Sequence, residues 1–356
     1  MSSLVFGDEE VTVTIHMETS GTRNTGAATP IAAPRRVEIT GTSVAARLFG
    51  WGSRLTVRPV IAAWATEPRL PWPACLVDAV AGALPGLAGT RNTSIRLPKC
   101  RAEWIAPTDR STETDGRAVL YTHGGGFMAG GLNTHRRLAA RIGRSCRADV
   151  LAVNYRMLPR YSIDEAIEDG LDGYRYLLGR GYAPQDIVIA GDSAGGFLAF
   201  SIALAARDRG LPLPGSIVGM SPLTDLDPTG KLAHPNVDRC AVIPAAALRR
   251  LVESSDRADA RRGGSDRISP VDADLRGLPP VLIQVGSTEM IVADAELMAQ
   301  RLAAAGVDCE LQVWHNQLHV FHIVADAVPE AARAIEAIGT WYDQIVSHRS
   351  EHATVG

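Results

Sequence analysis

The feature that most limits how this chain can fold is one continuous run. Ile187-Val188-Ile189-Ala190 leads into Gly191-Asp192-Ser193-Ala194-Gly195-Gly196, and then into the stretch from Phe197 to Arg207. The run predicts a strand, a sharp turn and a helix, the context in which a GxSxG pattern acquires chemical meaning. Gly191 and Gly195 omit side chains where strand and helix come closest. Ser193 is left at the C-terminal end of the strand, where the following helix aims the positive end of its dipole. The plainer alternative is a serine in an ordinary strand-to-helix loop.

After Gly116 the same grammar repeats, with short apolar runs alternating with longer amphipathic ones. Strands are expected at Ala118 to Tyr121, Val150 to Asn154, Ile187 to Ala190, Ile217 to Met220, Val281 to Val285 and Glu310 to Trp314. Helices are expected over 134–145, 163–179, 196–208, 291–305 and 329–347. Ser162-Ile163-Asp164-Glu165 has capping-box spacing for the second of these. The fold class is therefore α/β, a mostly parallel central sheet flanked by helices. A length of 356 residues fits one large catalytic domain, 96–348, with an N-terminal extension. Within that extension, residues 1–40 are expected to form a flexible tail. Residues 41–95, apolar and rich in Trp, Pro and Leu, are expected to form a helical cap.

His123-Gly124-Gly125-Gly126-Phe127 follows the strand expected at Ala118 to Tyr121. Consecutive glycines let bare backbone N–H groups approach an oxygen on which negative charge develops, as a tetrahedral intermediate requires. The expected oxyanion hole comprises Gly124, Gly125, Gly126 and Ala194, with the amides of Gly125, Gly126 and Ala194 as the principal donors and Gly124 shaping the turn. A phosphate-cradling loop is the alternative, but no GK[ST] or GxGxxG with a following acidic residue accompanies it.

A neutral serine hydroxyl needs a base, and on an elbow of this kind the partners follow in the order nucleophile, acid, histidine. Of the nine histidines, His16, His123 and His135 precede Ser193, His234 comes before the last strands, and His348 and His352 lie in the tail. That leaves His315, His319 and His322. His319 lies in the loop between the last strand and the final helix and is the expected base. The acid should follow the strand Val281 to Val285. Glu289 is the expected choice and Asp294, the competitor, is read as a solvated or capping residue in a helix's first turn. Asp192 is expected to support the elbow and to take no part as an acid.

Thirty-six basic against 39 acidic residues, with no long Lys/Arg run, argue against nucleic-acid binding. Cys75, Cys100, Cys146, Cys240 and Cys309 are odd in number, scattered and without CxxC spacing, so reduced thiols are expected, with neither a disulfide framework nor a zinc site. The first thirty residues lack a basic segment leading into an apolar run, so no signal peptide is expected and the location expected is cytoplasmic. The apolar stretch Trp72 to Gly89 is broken by Pro73, Asp78 and Pro85, a poor membrane span that leaves contact with a lipid surface open. A monomer and a homodimer are equally compatible with the chain.

Taken together, HGGGF at 123–127, GDSAGG at 191–196, Asn154-Tyr155-Arg156-Met157-Leu158-Pro159, Ser221-Pro222-Leu223-Thr224-Asp225-Leu226, Leu278-Pro279-Pro280 and His319-Val320-Phe321 resemble the hormone-sensitive-lipase-like α/β-hydrolases, the bacterial family IV esterases. The resemblance covers about residues 115–345 and is similar in flavour to actinobacterial members. It implies an α/β-hydrolase fold, Ser193, Glu289 and His319 as a triad, a small-molecule ester substrate of short to medium acyl chain, and no cofactor or metal. It also implies that the cap shapes the substrate pocket. An amidase or acyltransferase with the same triad, a non-catalytic receptor on this fold and a lipid-surface lipase are the competing readings. Two departures stand out: Glu289-Met290-Ile291-Val292 where the family commonly has Asp in a DPLRD-like stretch, and Pro159-Arg160-Tyr161-Ser162 where a PExP-like run is usual.

Overall fold

The computed structural model describes residues 2–3, 12–16, 34–67, 74–108 and 116–353. Among these, eleven strands make one sheet. They are β1 (Ser2–Ser3), β2 (Thr12–His16), β3 (Arg35–Ile39), β4 (Thr90–Arg96), β5 (Arg101–Pro107), β6 (Arg117–Thr122), β7 (Ala148–Asn154), β8 (Ile187–Asp192), β9 (Ser216–Met220), β10 (Val281–Gly286) and β11 (Cys309–Trp314). The helices are α1 (Val44–Leu55), α2 (Val57–Thr66), α3 (Ala74–Ala81), α4 (Leu132–Ser145), α5 (Ile163–Gly179), α6 (Ala194–Asp208), α7 (Thr229–Ala233), α8 (Ala245–Ala260), α9 (Val292–Ala304) and α10 (Pro329–Ala353).

The strand order is β1-β2-β3-β11-β10-β9-β8-β6-β7-β5-β4. From β3 across to β7 every pairing is parallel, and antiparallel strands finish both edges. The chain steps outward from β6 to β7, then jumps back over β6 to β8. Right-handed crossovers in opposite directions put their helices on opposite faces. Side chains of β6 show the result: Ala118 and Leu120 join the core that contains Ala166 and Leu171 of α5 and Phe197 of α6. Val119 and Tyr121 join the core that contains Leu138 and Ile142 of α4 and Ile338 of α10. The order reverses between β6 and β8, and the crevice beyond the carboxyl ends of strands at such a switch is where open α/β sheets bind ligands. Both glycine-rich motifs end up there.

All six expected strands and all five expected helices are present. Ser162 caps α5 as its spacing predicts, with Ser162 N donating to Glu165 Oε2 at 3.0 Å and Glu165 N donating to Ser162 Oγ at 3.4 Å. The unexpected strands lie at the margins of the sheet. Over the stretch read as a flexible tail, residues 1–40, the described portions carry β1, β2 and β3; the remainder lies outside the described residues. β3 shows no clean apolar alternation because its charged side chains find partners on and beside β11: Arg35 pairs with Glu310 at 2.7 Å and Glu38 with His315 at 2.8 Å. Strand β4, mostly exposed, is a polar edge strand, so residues 90–95, counted with the cap in sequence, sit in the sheet. Residues 68–73 of the expected cap lie outside the described residues. Helix α3 docks through Asp78, which accepts from the amides of Asn133 at 3.0 Å and Thr134 at 2.9 Å, a carboxylate on the positive end of α4. Cys100, Cys146, Cys240 and Cys309 are free thiols.

Candidate active site

Ser193 sits between β8 and α6 at φ 51°, ψ −118°, a backbone conformation that a residue with a side chain rarely adopts. Close packing holds it there. A Cβ at Gly191 would come 2.1 Å from the carbonyl oxygen of Gly195, and one at Gly195 would come 1.9 Å from that of Thr122. Only hydrogen fits at either position. The Ser193 amide donates to Met220 O at 2.9 Å, so β9 anchors the turn as well.

His319 Nε2 lies 2.9 Å from Ser193 Oγ, and His319 Nδ1 is hydrogen-bonded to Glu289 Oε2. The three predicted residues, drawn from positions 126 and 30 apart in sequence, meet in one chain of contacts. Glu289 is fully buried, and its other oxygen accepts from the Gly286 amide at 2.6 Å and from Ser221 Oγ at 2.8 Å. Ser221 in turn accepts from the Val320 amide at 3.1 Å, tying the support of Glu289 to the loop that carries His319. Val320 has φ 51°, ψ 43°, a left-handed conformation uncommon for a β-branched residue. Ser221 was missed in the sequence reading, although it opens the Ser221-Pro222-Leu223 stretch that the family resemblance picks out.

Asp294 is elsewhere. It forms an ion pair with Lys231 at 2.7 Å, both side chains being buried, and accepts from the amides of Thr224 at 2.9 Å and Asp225 at 3.1 Å. Burial raises its carboxyl above the ordinary value, against the pull of the Lys231 ammonium and the two amides. The expectation of a solvated or helix-capping Asp294 is therefore corrected: it is a buried structural partner that holds the segment after β9 to α9. The other two late histidines also have separate partners: His315 pairs with Glu38 and His322 Nε2 bonds Gln284 Oε1 at 2.9 Å.

The amides of Gly125, Gly126 and Ala194 donate to no described residue and lie beside Ser193 in the lining of a single cavity or next to it. Gly124 differs. Its amide donates to Asp192 Oδ1 at 3.0 Å, so within the expected hole it is no free donor and its part is to shape the turn, where a Cβ would meet Asp192 Oδ2 at 2.2 Å. Asp192 also accepts from Tyr121 Oη and faces His135 Nε2 at 3.5 Å. The His135 imidazole, although burial opposes its charge, is held above its ordinary value by the Asp192 carboxylate. Asp192 thus joins the elbow to the glycine loop, as a supporting residue. His123 stacks on Tyr155 with ring centroids 4.3 Å apart, and burial pushes its imidazole down to about 4, so it is a neutral support of the loop.

The cavity above Ser193 has a volume of about 870 Å³, within the range of small-molecule sites. Its floor is Gly125, Gly126, Ser193 and His319; its walls include Phe49, Val57, Ile61 and Trp64 from α1 and α2, and Leu248 and Leu251 from α8. Helix α8 was absent from the sequence reading, though Leu248, Leu251, Ser255 and Ala258, all buried, recur at helical spacing. None of Pro159, Arg160, Tyr161 and Ser162 lines the cavity; Arg160 stacks on Tyr161 instead.

A model of a family described by its alpha/beta hydrolase fold matches residues 119–323. The chain belongs to that family. It is 39% identical over 316 residues to a carboxylesterase/phospholipase, LipF, of Mycobacterium tuberculosis, covering 86% of this chain and 83% of the relative. It is 39% identical over 296 residues to the esterase LipU of the same organism, covering 81% and 98%. An acetyl-hydrolase of Streptomyces hygroscopicus is 38% identical over 251 residues, covering 69% and 81%. Among solved structures, an esterase from the bacterial hormone-sensitive lipase family superposes with a TM-score of 0.75 at 31% identity, covering 86% of this chain and all of the other at 100%. The esterase EstE5, soaked with p-nitrophenyl butyrate, does so at 0.74 and 30%, covering 85% and 99%. This α/β-hydrolase is thus a carboxylesterase or lipase of the hormone-sensitive-lipase-like group, a serine ester hydrolase. Among its described residues no helix is long and apolar enough to cross a membrane.

Proposed function

We propose that ester hydrolysis by this enzyme runs through Ser193, His319 and Glu289 with a covalent acyl-enzyme. The observation that carries the reading is the two-sided bonding of His319, to Ser193 Oγ through Nε2 and to the Glu289 carboxylate through Nδ1. A carboxylate at Nδ1 fixes the tautomer with a lone pair on Nε2 and stabilises the imidazolium that forms. Nε2 takes the Ser193 proton as Oγ bonds to the ester carbonyl carbon, and the carbonyl π pair moves to oxygen. The amides of Gly125, Gly126 and Ala194 receive that oxyanion. His319 then protonates the departing alkoxide as the ester C–O bond breaks. Water, deprotonated by the same histidine, bonds to the acyl carbon, and His319 returns the proton to Ser193 Oγ as the acyl–Oγ bond breaks and the acid is released.

Acyl chains of short to medium length are the proposed substrates, seated against the apolar side chains of α1, α2 and α8. Helices α1, α2 and α3 act as the cap in this reading, together with α8. A chain-length series of p-nitrophenyl esters, run on wild type, Ser193→Ala, Glu289→Gln and Asp294→Asn, tests the assignment. Ser193→Ala is expected to be inactive and Glu289→Gln severely impaired, whereas Asp294→Asn keeps its turnover per folded molecule. Full activity of Ser193→Ala would overturn the mechanism.

A further inference from the structure

Helix α1 is amphipathic the wrong way round for a helix that only packs on a protein. Its buried residue is the small Ala46. Its large apolar residues Val44, Leu48, Trp51 and Leu55 follow one another at spacings of four, three and four, which stacks them on one face. That face points outward: the four are 68%, 67%, 72% and 65% exposed. Val57 and Val60 extend the apolar surface onto α2, at 41% and 57%. Single exposed apolar residues need no explanation, but a contiguous stripe of this kind marks a contact surface.

Two further observations say what it meets. From Val44 to Thr66 the chain carries Arg47, Arg54 and Arg58 and no acidic residue. On a helical projection Arg47 and Arg54 fall together along one flank of the stripe; the Arg54 guanidinium donates to the backbone carbonyls of Asp238 and Arg239, whereas the exposed Arg47 reaches past the apolar face. On the opposite flank, Leu48, Phe49, Gly52 and Ser53 line the cavity over Ser193. Leu48 is both in the stripe and in the lining, so the apolar surface runs without interruption from the outside of α1 into the cavity.

We propose that the outer face of α1 and α2 seats on an anionic lipid surface, with Trp51 and Leu55 entering the headgroup–acyl boundary and the exposed Arg47 meeting lipid phosphates. An apolar stripe flanked by cations, with an exposed tryptophan, is the composition of a helix that lies in a membrane interface. The cavity then opens toward the acyl region, and an ester passes from the lipid to Ser193 along apolar side chains. The delivery step rests on the function proposed above; the binding step does not.

The test therefore separates binding from turnover. Ser193→Ala protein is sedimented with vesicles of phosphatidylcholine containing one third phosphatidylglycerol, and with phosphatidylcholine alone. Sedimentation with the anionic vesicles is expected, weakening with added salt and on Arg47→Glu. Trp51→Ser combined with Leu55→Ser, at positions outside the cavity lining, should weaken partitioning about tenfold or more. In the active protein the same pair should leave hydrolysis of dissolved p-nitrophenyl butyrate unchanged and slow hydrolysis of an ester embedded in anionic vesicles. Three results would overturn the proposal: Ser193→Ala protein that stays in the supernatant with both vesicle types, unaltered partitioning of the double variant, or light scattering that shows a dimer converted to monomer by it, which would assign the face to a second copy. Loss of the proposed esterase mechanism would appear instead as Ser193→Ala protein that still hydrolyses the dissolved ester.

Discussion

The floor and the roof of the cavity are held in different ways. On the floor, Glu289 is fully buried with its oxygens bonded to Gly286, Ser221 and His319, and Asp192 ties the Gly124 amide to Tyr121. On the roof, α1 buries only Ala46 and α2 buries no residue at all. The comparison teaches where accuracy is required. Groups that make and break bonds must be positioned before the substrate arrives, because reorganisation during reaction raises the barrier. Groups that only surround an acyl chain need bulk and apolarity, and a sparsely packed pair of helices supplies both while remaining open to local movement.

The comparison breaks most visibly if a floor substitution is mild. Ser193→Ala is expected to lower kcat by about 10⁶-fold, measured on p-nitrophenyl butyrate, with the chain still folded by circular dichroism. Glu289→Gln is expected to cost about 10⁴-fold, because the wrong histidine tautomer faces Ser193. A loss of only a few fold would mean that another group orients His319.

Next come substitutions that act on the fold. Gly195→Ala drives a methyl group into the Thr122 carbonyl, 1.9 Å from the ideal Cβ, and should cost ~3 kcal/mol in urea unfolding as well as activity. Asp294→Asn removes the charge opposite buried Lys231 and should cost about 3 kcal/mol while sparing turnover per folded molecule. Together with Glu289→Gln it separates the carboxylate that acts on His319 from the one that holds α9.

A smaller effect concerns acid. Burial holds the imidazole of His123 down at about 4 and that of His322 at about 3. The unfolded chain protonates both near a pH of about 6.5. Below that value the unfolded state binds protons that the folded state refuses, so stability is complete above it and declines as the pH falls toward the folded values. The urea midpoint should therefore drop between neutral pH and pH 5, and His322→Gln should flatten the decline. The smallest change is expected on the roof. Trp64→Ala enlarges the cavity and should shift preference toward longer acyl chains by roughly tenfold, with little loss on the shortest ester; a collapse in kcat would show that the roof also positions the reacting bond.

The buried parallel strands were legible because covering both faces of a sheet demands continuous apolar runs, as at Val119, Leu120 and Tyr121. The edge strands were not, because β4 is mostly exposed and β3 satisfies its charges through Glu310 and His315. Gly191 and Gly195 were legible for a related reason: a backbone contact that excludes every side chain leaves a glycine in the sequence.

The sequence alone determined the elbow, the glycine loop, the serine at the turn and its order relative to a late histidine, since each depends on neighbours a few residues away or on direction along the chain. The tertiary structure decided which carboxylate meets His319, which amide Asp192 consumes, and that Ser221 stands behind Glu289. Those matters turn on contacts between residues 30 to 70 positions apart, and either Glu289 or Asp294 was chemically able to serve until folding put Lys231 beside one and His319 beside the other.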